Sequence, residues 1–283
     1  MDDSMNFMEG LIQAAQRANP QNPNDYTDPN TGLLMCGDCH TPKETRIEFF
    51  DISRVVRCLC KCGKERREKE AQEKEERERL ARISIIREKC FGAGDKKRAF
   101  TFEADDGADK ATSKATRAYA ERFSEMRRDG KGLLLLGPTG TGKTYYACAV
   151  ANAVIEKGYT AKVTTFARVA ADLQSTHDKT GLLDELCRFD LLVLDDFGTE
   201  RGTSYMDEIV FTVVDERCAT GKPLIVTTNL TAGDLGKSDD LTRQRIFSRL
   251  SEVCIPLPVV GQDRRKERME RAMEAGVAEL LGG

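Results

Sequence analysis

Four short apolar runs between residues 133 and 257 predict strands, and the first two are expected to be buried. Residues 133–136 are all leucine, and the runs 191–194, 223–226 and 253–257 are nearly as apolar. Runs of this length that are bounded by glycine or polar residues are typical of fully buried strands. The first run is soon followed by apolar residues at helical spacing, namely Ala147, Val150, Ala151, Val154 and Ile155. A strand, a loop and a helix are therefore expected in that order.

Helical spacing recurs on both sides of these strands. Residues 111–128 carry apolar side chains three or four positions apart and predict one helix. Before it, residues 100–102 alternate like a short strand or a docking segment. The roughly 25 residues after the last apolar run suffice for one amphipathic helix and are too few for a separate helical lid. Its apolar positions are Met269, Met273, Val277, Leu280 and Leu281.

The first third of the chain is polar and divides into three segments. Residues 1–30 become rich in Asn and Pro and are expected to be flexible. Residues 31–63 contain half of the cysteines. Residues 64–90 are almost all charged, with Glu and Lys or Arg three and four positions apart, which predicts a solvated helical linker. The remaining residues, 91–283, are expected to form one larger domain.

Composition excludes several classes of protein. The 283 residues include 44 basic and 47 acidic ones, a net charge of −3, so a nucleic-acid contact would need a local basic patch. No apolar run is long enough to span a membrane, and the N-terminus lacks the pattern of a signal peptide. Ten cysteines without an export signal are expected to be thiols or metal ligands. A cytoplasmic location follows as an expectation.

The cysteines of residues 36–62 have the spacing of a structural zinc site. A C-x₂-C pair, Cys36 and Cys39, is followed about twenty residues later by Cys58, Cys60 and Cys62. Four thiolates would close a tetrahedral Zn²⁺ site and let a small module fold without an apolar core. We expect Cys36 and Cys39 to be joined by two of the other three, with His40 a less favoured substitute. Reduced thiols on a loop are the alternative.

The first apolar run breaks into a loop with the phosphate-binding pattern G-x-x-x-x-G-K-T. Its glycines let backbone N–H groups surround an anion, and the following helix directs its positive end at the phosphates. Lys143 is expected to neutralise the β- and γ-phosphates of ATP, and the Thr144 hydroxyl to ligate Mg²⁺. The residues assigned to the nucleotide are Gly137, Pro138, Thr139, Gly140, Thr141, Gly142, Lys143 and Thr144.

The second apolar run ends in two adjacent carboxylates, which is the Walker B pattern. Asp195 is expected to hold the Mg²⁺ shell, and Asp196 to polarise the attacking water. Glu200 is a nearby alternative base. Asn229, which ends the third run, is suited to position water against the γ-phosphate. The alternative for Asn229 is a turn residue that caps the next helix.

Together these motifs resemble those of AAA+ ATPases, in particular the DnaC-like replicative helicase loaders of phage and prophage type, with the transposition helper IstB as a relative. The resemblance covers about residues 91–265 and, more loosely, the cysteine module. It rests on residues 91–92, 100–107, 132–144, 195–198, 221–229 and 245–250. It implies an α/β AAA+ P-loop core with a parallel sheet of order 5-1-4-3-2 and, as in the loaders, no separate lid.

The resemblance also implies roles for arginines. Residues 245–250 look like the arginine-finger region of the family, so that Arg249 would reach the γ-phosphate of a neighbouring subunit, with Arg245 the alternative. Residues 261–265 look like the segment that carries the sensor-2 arginine, which is assigned to Arg265, with Arg264 close behind. By sequence alone, these arginines are as well explained as surface salt-bridge partners.

The function implied is ATP-dependent loading of a hexameric DnaB-type replicative helicase onto single-stranded DNA. The helicase would bind the N-terminal module, and the ATPase domain would self-associate. One alternative is an IstB-like transposition ATPase that acts with a transposase on duplex DNA. Another is an ATP-binding adaptor with little hydrolysis, because Asp196 stands where many relatives carry the longer Glu. The expected cofactors are ATP, Mg²⁺ and Zn²⁺.

Overall fold

The structure, a computed structural model, describes residues 22–49, 52–198, 204–231 and 241–266, together with Met269 and Met273. The chain divides into two compact units, Met1–Ala81 and Arg82–Gly283. Residues 1–21 of the segment expected to be flexible, the predicted apolar positions after Met273, and Glu200 lie outside the described residues. Within the described part of the chain, no helix is long and apolar enough to cross a membrane.

Two small antiparallel hairpins form most of the first unit. Strand β1 (Tyr26–Thr27) pairs with β2 (Leu34–Met35), and β3 (Glu44–Phe49) pairs with β4 (Ile52–Arg57). Helix α1 (Lys61–Phe91) begins in this unit and is charged along most of its length, as the sequence predicts for residues 64–90.

The interior of the first unit is polar. Among its described residues, those that are fully buried are Cys36, Cys60 and Lys43. Lys43 Nζ donates to Asp25 Oδ2 over 2.6 Å, and the backbone N–H of Gly37 donates to Asp25 Oδ1 over 3.2 Å. Burial alone would raise the pKa of Asp25, but these donors outweigh it and lower the pKa. Cysteines and one ion pair therefore take the place of an apolar core.

The expected flexible segment 1–30 needs correction over its described part. Residues 22–30 contribute strand β1 and the buried Asp25 to the first unit. The module therefore begins before residue 31. The Asn/Pro-rich composition misleads here because polar side chains serve as hydrogen-bond partners within the module, as when Asn22 donates to Asp38 over 2.8 Å.

The second unit is built on a five-stranded parallel sheet. Its strands, in chain order, are β5 (Gly132–Leu136), β6 (Ala161–Thr165), β7 (Leu191–Phe197), β8 (Leu224–Thr228) and β9 (Cys254–Pro258). Their order in the sheet is β6-β7-β8-β5-β9. Counted from β5 as the first strand, this is the order 5-1-4-3-2 that the sequence predicts.

Helices cover both faces of this sheet. Leu133 and Leu135 of β5 face one apolar cluster, and Leu134 and Leu136 face the other. Because successive side chains of a strand point to opposite faces, a strand buried on both sides needs an uninterrupted apolar run. The helices are α2 (Lys110–Glu121), α3 (Phe123–Arg128), α4 (Lys143–Glu156), α5 (Phe166–Ser175), α6 (Lys179–Arg188), α7 (Ser204–Ala219) and α8 (Leu241–Val253).

Two local expectations are revised. The helix predicted over 111–128 is two helices, because the backbone turns at Arg122 (φ −94°, ψ 20°). Of the two alternatives for residues 100–102, the docking segment is confirmed and the strand is not, because Phe102 packs into the apolar cluster around α4. After β9, residues 264–266, Met269 and Met273 are helical, and no helical lid occurs among the described residues there.

Candidate functional site

The glycine-rich loop connects β5 to α4 and is packed tightly by the chain that follows β9. Gly140 has φ 84°, and Gly142, at the start of α4, has φ 102°. Residues other than glycine rarely adopt such positive φ angles. A Cβ atom on Gly140 would also lie 1.8 Å from Asp263 Oδ1. The backbone N–H of Arg264 donates to Gly140 O over 3.1 Å, so the loop is held from outside.

Lys143 points back along this loop. Its Nζ donates to the carbonyl oxygens of Gly137 (2.8 Å) and Pro138 (2.7 Å), and the Thr141 hydroxyl also donates to Pro138 O. Burial lowers the pKa of Lys143, although the nearby Asp196 and Asp195 oppose this shift. Lys143, at the positive end of α4, is suited to bind phosphate oxygens.

The buried carboxylate of Asp195 is the centre of the site. Its Oδ1 accepts hydrogen bonds from the hydroxyls of Thr144 and Thr227, both over 2.7 Å. Its Oδ2 accepts one from Lys97 Nζ over 3.3 Å. Carboxylate and hydroxyl oxygens are the ligands that Mg²⁺ prefers. The ammonium of Lys97 shows that a cation can bind at the Asp195 carboxylate. Asp195 and Thr144 therefore fit a magnesium ion.

Asp196 occupies an irregular position in β7. Leu194 pairs with Val226 and Phe197 pairs with Thr228. Two residues of β7 therefore lie between these pairs, where β8 has one. This β-bulge gives Asp196 φ 60°, and its backbone N–H donates to the Thr227 hydroxyl over 3.0 Å. Burial, followed by the charge of Asp195, raises the pKa of Asp196. Bulges re-aim side chains next to active sites, and this one exposes the second carboxylate.

Asn229 follows β8, the strand between β5 and β7. The carboxyl ends of parallel strands meet at one edge of a sheet, so Asn229 belongs to the same edge as the glycine-rich loop and Asp195. It is partly buried. The preceding Thr228 hydroxyl donates to Phe197 O over 2.8 Å and ties the ends of β7 and β8 together.

Two arginines after β9 occupy different positions. The Arg264 guanidinium contacts Asp106 (3.2 Å) and the Tyr146 hydroxyl (3.4 Å), so it is engaged beside the base of the loop. The backbone N–H of Arg265 donates to Asp263 Oδ1 over 3.0 Å. Burial lowers the pKa of Lys143 and the charge of Arg265 adds to this shift, whereas at Asp196 the charges of Lys97 and then Arg265 oppose the rise in pKa that burial and Asp195 cause. Arg265 therefore carries charge towards the site.

The proposed finger residues lie on α8. Arg249 Nε is 2.9 Å from Asp215 Oδ1, and its NH1 group is 3.4 Å from Glu252 Oε2, with about half of the side chain exposed. Arg245 instead stacks over the Phe211 ring, with its guanidinium carbon 4.4 Å from the ring centroid. Within this chain neither contact is with the glycine-rich loop, so any finger role requires a second copy.

The first unit contains the second candidate site, a cluster of four cysteines. The sulfur atoms of Cys36, Cys39, Cys60 and Cys62 all lie within 4.8 Å of one another. Cys62 Sγ is 3.5 Å from Cys36 Sγ and 3.4 Å from Cys60 Sγ. Four sulfurs around Zn²⁺ lie about 3.8 Å apart, since the Zn–S distance is about 2.3 Å. The geometry therefore fits a closed zinc site.

Charge crowding supports a cation in this cluster. The thiol of Cys60 holds the pKa of Cys62 high, at about 12, whereas hydrogen bonds led by the Cys62 backbone N–H lower the pKa of Cys39 to about 5. A divalent ion would relieve this conflict by stabilising every sulfur as thiolate. Cys58 lies outside the cluster, 3.5 Å from Pro42 O, and His40 contacts the Tyr26 hydroxyl.

A sequence comparison decides the family. The profile described as "IstB-like ATP binding protein" matches residues 63–272. The chain belongs to the IstB-like ATP-binding family. Its match includes the whole glycine-rich loop, both carboxylates and the segment after β9.

Curated relatives of this IstB-like chain carry names from DNA replication. It is 27% identical over 160 residues to the "Replicative helicase loader DnaI" of Bacillus subtilis (strain 168). The aligned region covers 52% of this chain and 51% of that protein. It is 30% identical over 152 residues to the "Replicative helicase loader DnaC" of Escherichia coli (strain K12), which covers 51% and 58%. The chain thus spans about half the length of the curated relatives it matches.

A solved structure supports the fold. The crystal structure of the DnaC helicase loader superimposes with a TM-score of 0.52 at 22% identity, covering 59% of this chain and 100% of that one. The second unit therefore has the AAA+ P-loop fold, as the sequence predicts.

Two members of the IstB-like site were not expected from sequence. Lys97 lies in the 3₁₀ turn Lys96–Ala99, with no motif around it, and Thr227 lies within β8. Thr227 carried a detectable signal, since a hydroxyl interrupts an otherwise apolar strand next to Asn229. Lys97 carried none, because its partner Asp195 is 98 positions away in the chain.

Proposed function

We propose that this IstB-like protein is an ATP-dependent helicase loader that delivers a hexameric replicative helicase onto single-stranded DNA. The observation that carries the proposal is the pairing of a complete phosphate-loop and Asp-Asp site with relatives named as replicative helicase loaders. The partner would be a DnaB-type helicase, and assembly would proceed through the AAA+ unit. Phage or prophage origin stays a prediction.

The proposed chemistry is ATP hydrolysis to ADP and phosphate. Lys143 binds the β- and γ-phosphates, while Thr144 and Asp195 hold Mg²⁺, which supplies charge neutralisation at the phosphates. Asp196 orients the attacking water, and Asn229 helps to position it. Because Asp196 is shorter than Glu, turnover is slow without partners. Burial, followed by the charge of Asp195, raises the pKa of Asp196, which makes its carboxylate a better proton acceptor.

The arginines act across the assembly in this proposal. Arg265 binds phosphate oxygens in its own subunit, and its nearness to Lys143 and Asp196 supports this role over Arg264, which is paired with Asp106. Arg249 completes the site of a neighbouring subunit. Nucleotide state then sets assembly geometry, as in other ATP-driven switches.

The first unit is proposed to hold one Zn²⁺ through Cys36, Cys39, Cys60 and Cys62 and to bind the helicase. Its polar interior supports a structural metal, because a module of this size without an apolar core needs a staple.

The test is a loading reaction with the full-length chain, ATP, and the DnaB-type helicase of the same genome on circular single-stranded DNA that carries an annealed forked strand. Wild-type protein is expected to increase strand release. Lys143→Ala should leave release at the level without loader, because phosphate binding loses its cation. Lys114→Ala, which removes an exposed lysine of α2, is the matched control and should load like wild type.

If this chain does not bind the DnaB-type helicase, with or without ATP, the loader proposal is contradicted. The second candidate is an IstB-like transposition helper, which the family description itself favours. It predicts that ATPase activity rises with duplex DNA and a transposase, and that the helicase has no effect. A protein that binds ATP but has no turnover with either partner would be the adaptor.

A further inference from the structure

Lys97 is a cation built into the nucleotide site that no sequence motif marks. Its Nζ lies 3.3 Å from Asp195 Oδ2, and the side chains of Lys97 and Asp195 are 28% and 4% exposed. Oδ1 of the same carboxylate already accepts the Thr144 and Thr227 hydroxyls. Lys97 therefore occupies the carboxylate oxygen that the two hydroxyls leave available.

The backbone around Lys97 is fixed to the core of the second unit. The Lys97 N–H donates to Asp95 Oδ1 over 2.9 Å, which caps the 3₁₀ turn. Three residues later, Phe100 O accepts a hydrogen bond from the buried Asn152 of α4 over 2.9 Å, and the Phe100 ring packs on Tyr145 at 5.2 Å. Because the turn is anchored, the backbone of Lys97 is held where its side chain can contact Asp195.

The charge of Lys97 is retained at this position. The ammonium lies 3.3 Å from the buried Asp195 carboxylate, and this opposite charge stabilises the ionised form of the lysine. Asp196 follows Asp195 directly, so the charge of Lys97 also reduces the repulsion between these two neighbouring carboxylates.

We propose that Lys97 competes with Mg²⁺ for Asp195 and so sets the magnesium concentration at which nucleotide binding is strengthened. The inference rests on the proposed magnesium role of Asp195 and Thr144. Two cations cannot both neutralise Oδ2 at contact distance, because they repel each other. Lys97 must give up this contact when the magnesium–nucleotide complex binds, and it keeps the carboxylates paired at other times.

The experiment titrates Mg²⁺ into full-length protein with a fluorescent ATP analogue and records the concentration that gives half of the magnesium-dependent gain in binding. Lys97→Met keeps the length of the side chain and removes its charge. The midpoint is expected to fall about tenfold or more, as a unit charge in contact with the carboxylate is lost. Lys96→Met, which alters the exposed neighbour in the same turn, should match wild type.

Further variants keep the result decisive. Lys97→Arg retains the positive charge. Its magnesium midpoint should stay within about threefold of the wild-type midpoint, because the ion pair with Asp195 is kept. If Lys97→Met does not fold by circular dichroism, Lys97→Gln is used and should show the same fall. A midpoint that is unchanged or higher in the uncharged variants overturns the Lys97 proposal alone. Wild-type binding that ignores Mg²⁺ overturns both this inference and the magnesium site.

Discussion

At the scale of single residues, the two adjacent aspartates have divided roles that their surroundings set. Asp195 is buried and accepts hydrogen bonds from two hydroxyls and one ammonium group, so it is rigid and suited to hold a cation. Asp196 is exposed, and its backbone is held in the left-handed region. Identical side chains thus acquire different chemistry from neighbours that lie far away in the chain.

Asp196→Asn should spare nucleotide binding and reduce ATP turnover by roughly 10²-fold or more, the usual contribution of a general base. Asn is chosen because it tolerates positive φ at least as well as Asp. Calorimetry with ATP and a phosphate-release assay measure the two effects separately. Normal turnover in this variant would transfer the role of base to another group, with Glu200 the next candidate.

At the scale of elements, one buried arginine ties helices to the start of the strands. Arg217 of α7 is completely buried, and its guanidinium donates to four backbone carbonyls before β7 and before β8. These belong to Cys187, Phe189, Asp190 and Pro223, at 2.7 to 3.1 Å. Burial lowers the pKa of Arg217 to about 10, so it stays charged at neutral pH.

Arg217→Met should destabilise the second unit by about 3 kcal/mol or more, because four backbone carbonyls lose the guanidinium together. The carbonyls of Cys187 and Pro223 keep a second donor, Lys222 Nζ and the Leu192 N–H respectively. Urea unfolding followed by circular dichroism measures the free energy of unfolding. Arg188→Met removes an exposed arginine nearby and should change stability by no more than about 0.5 kcal/mol. Equal stability of the two variants would mean that solvent or other donors satisfy these carbonyls.

At the scale of the whole molecule, the candidate metal site and the candidate nucleotide site belong to separate compact units. The cysteine cluster lies before residue 82, and every residue assigned to the nucleotide lies after it. A substitution that disrupts one unit is therefore expected to leave ligand binding by the other unit unchanged.

Purified protein should contain about one zinc per chain. Cys60→Ser should lose it, because a tetrahedral site with three thiolates binds far more weakly. Cys58→Ser is the matched control, since its sulfur lies outside the cluster, and it should retain zinc. Elemental analysis measures the metal. ATP affinity should be unchanged in both, while helicase capture fails in Cys60→Ser alone. Zinc loss in Cys58→Ser would reassign the ligands.

Assembly is tested by Arg249→Ala. If Arg249 acts on a neighbouring subunit, the variant should bind ATP normally and hydrolyse it roughly 10³-fold more slowly, the usual effect of removing an arginine finger. Mixing it with Asp196→Asn should restore part of the activity, because some interfaces then contain both an intact site and an intact arginine.

Arg245→Ala is the comparison, since Arg245 is the alternative finger and lies on the same helix, stacked on Phe211. If Arg249 is the finger, Arg245→Ala should hydrolyse ATP like wild type. The mixture is assayed with helicase and single-stranded DNA, which are expected to promote assembly. No recovery on mixing, or full activity in Arg249→Ala alone, would leave Arg249 as a partner of Asp215 and Glu252 and make Arg245 the candidate.

The sequence by itself determined those features whose cause is local. The loop 137–144 follows from glycines and a lysine placed next to one another, and the charged α1 follows from i,i+4 pairs such as Lys69 with Glu73. The strands buried on both faces are recognisable because each needs an unbroken apolar run. The resemblance implies five strands, but no apolar run located β6, because at this edge of the sheet only Ala161 and Val163 of the strand are buried.

Only the tertiary structure decided how distant segments meet. Five cysteines had ligand spacing, but the path of the chain after β4 brings Cys60 and Cys62, and not Cys58, to Cys36 and Cys39. A regular strand would keep Asp196 extended, whereas the bulge opposite Thr227 gives this residue φ 60°. Lys97 reaches Asp195 across 98 positions because the turn after α1 packs on α4. Such contacts depend on packing in three dimensions, which no periodicity along the chain encodes.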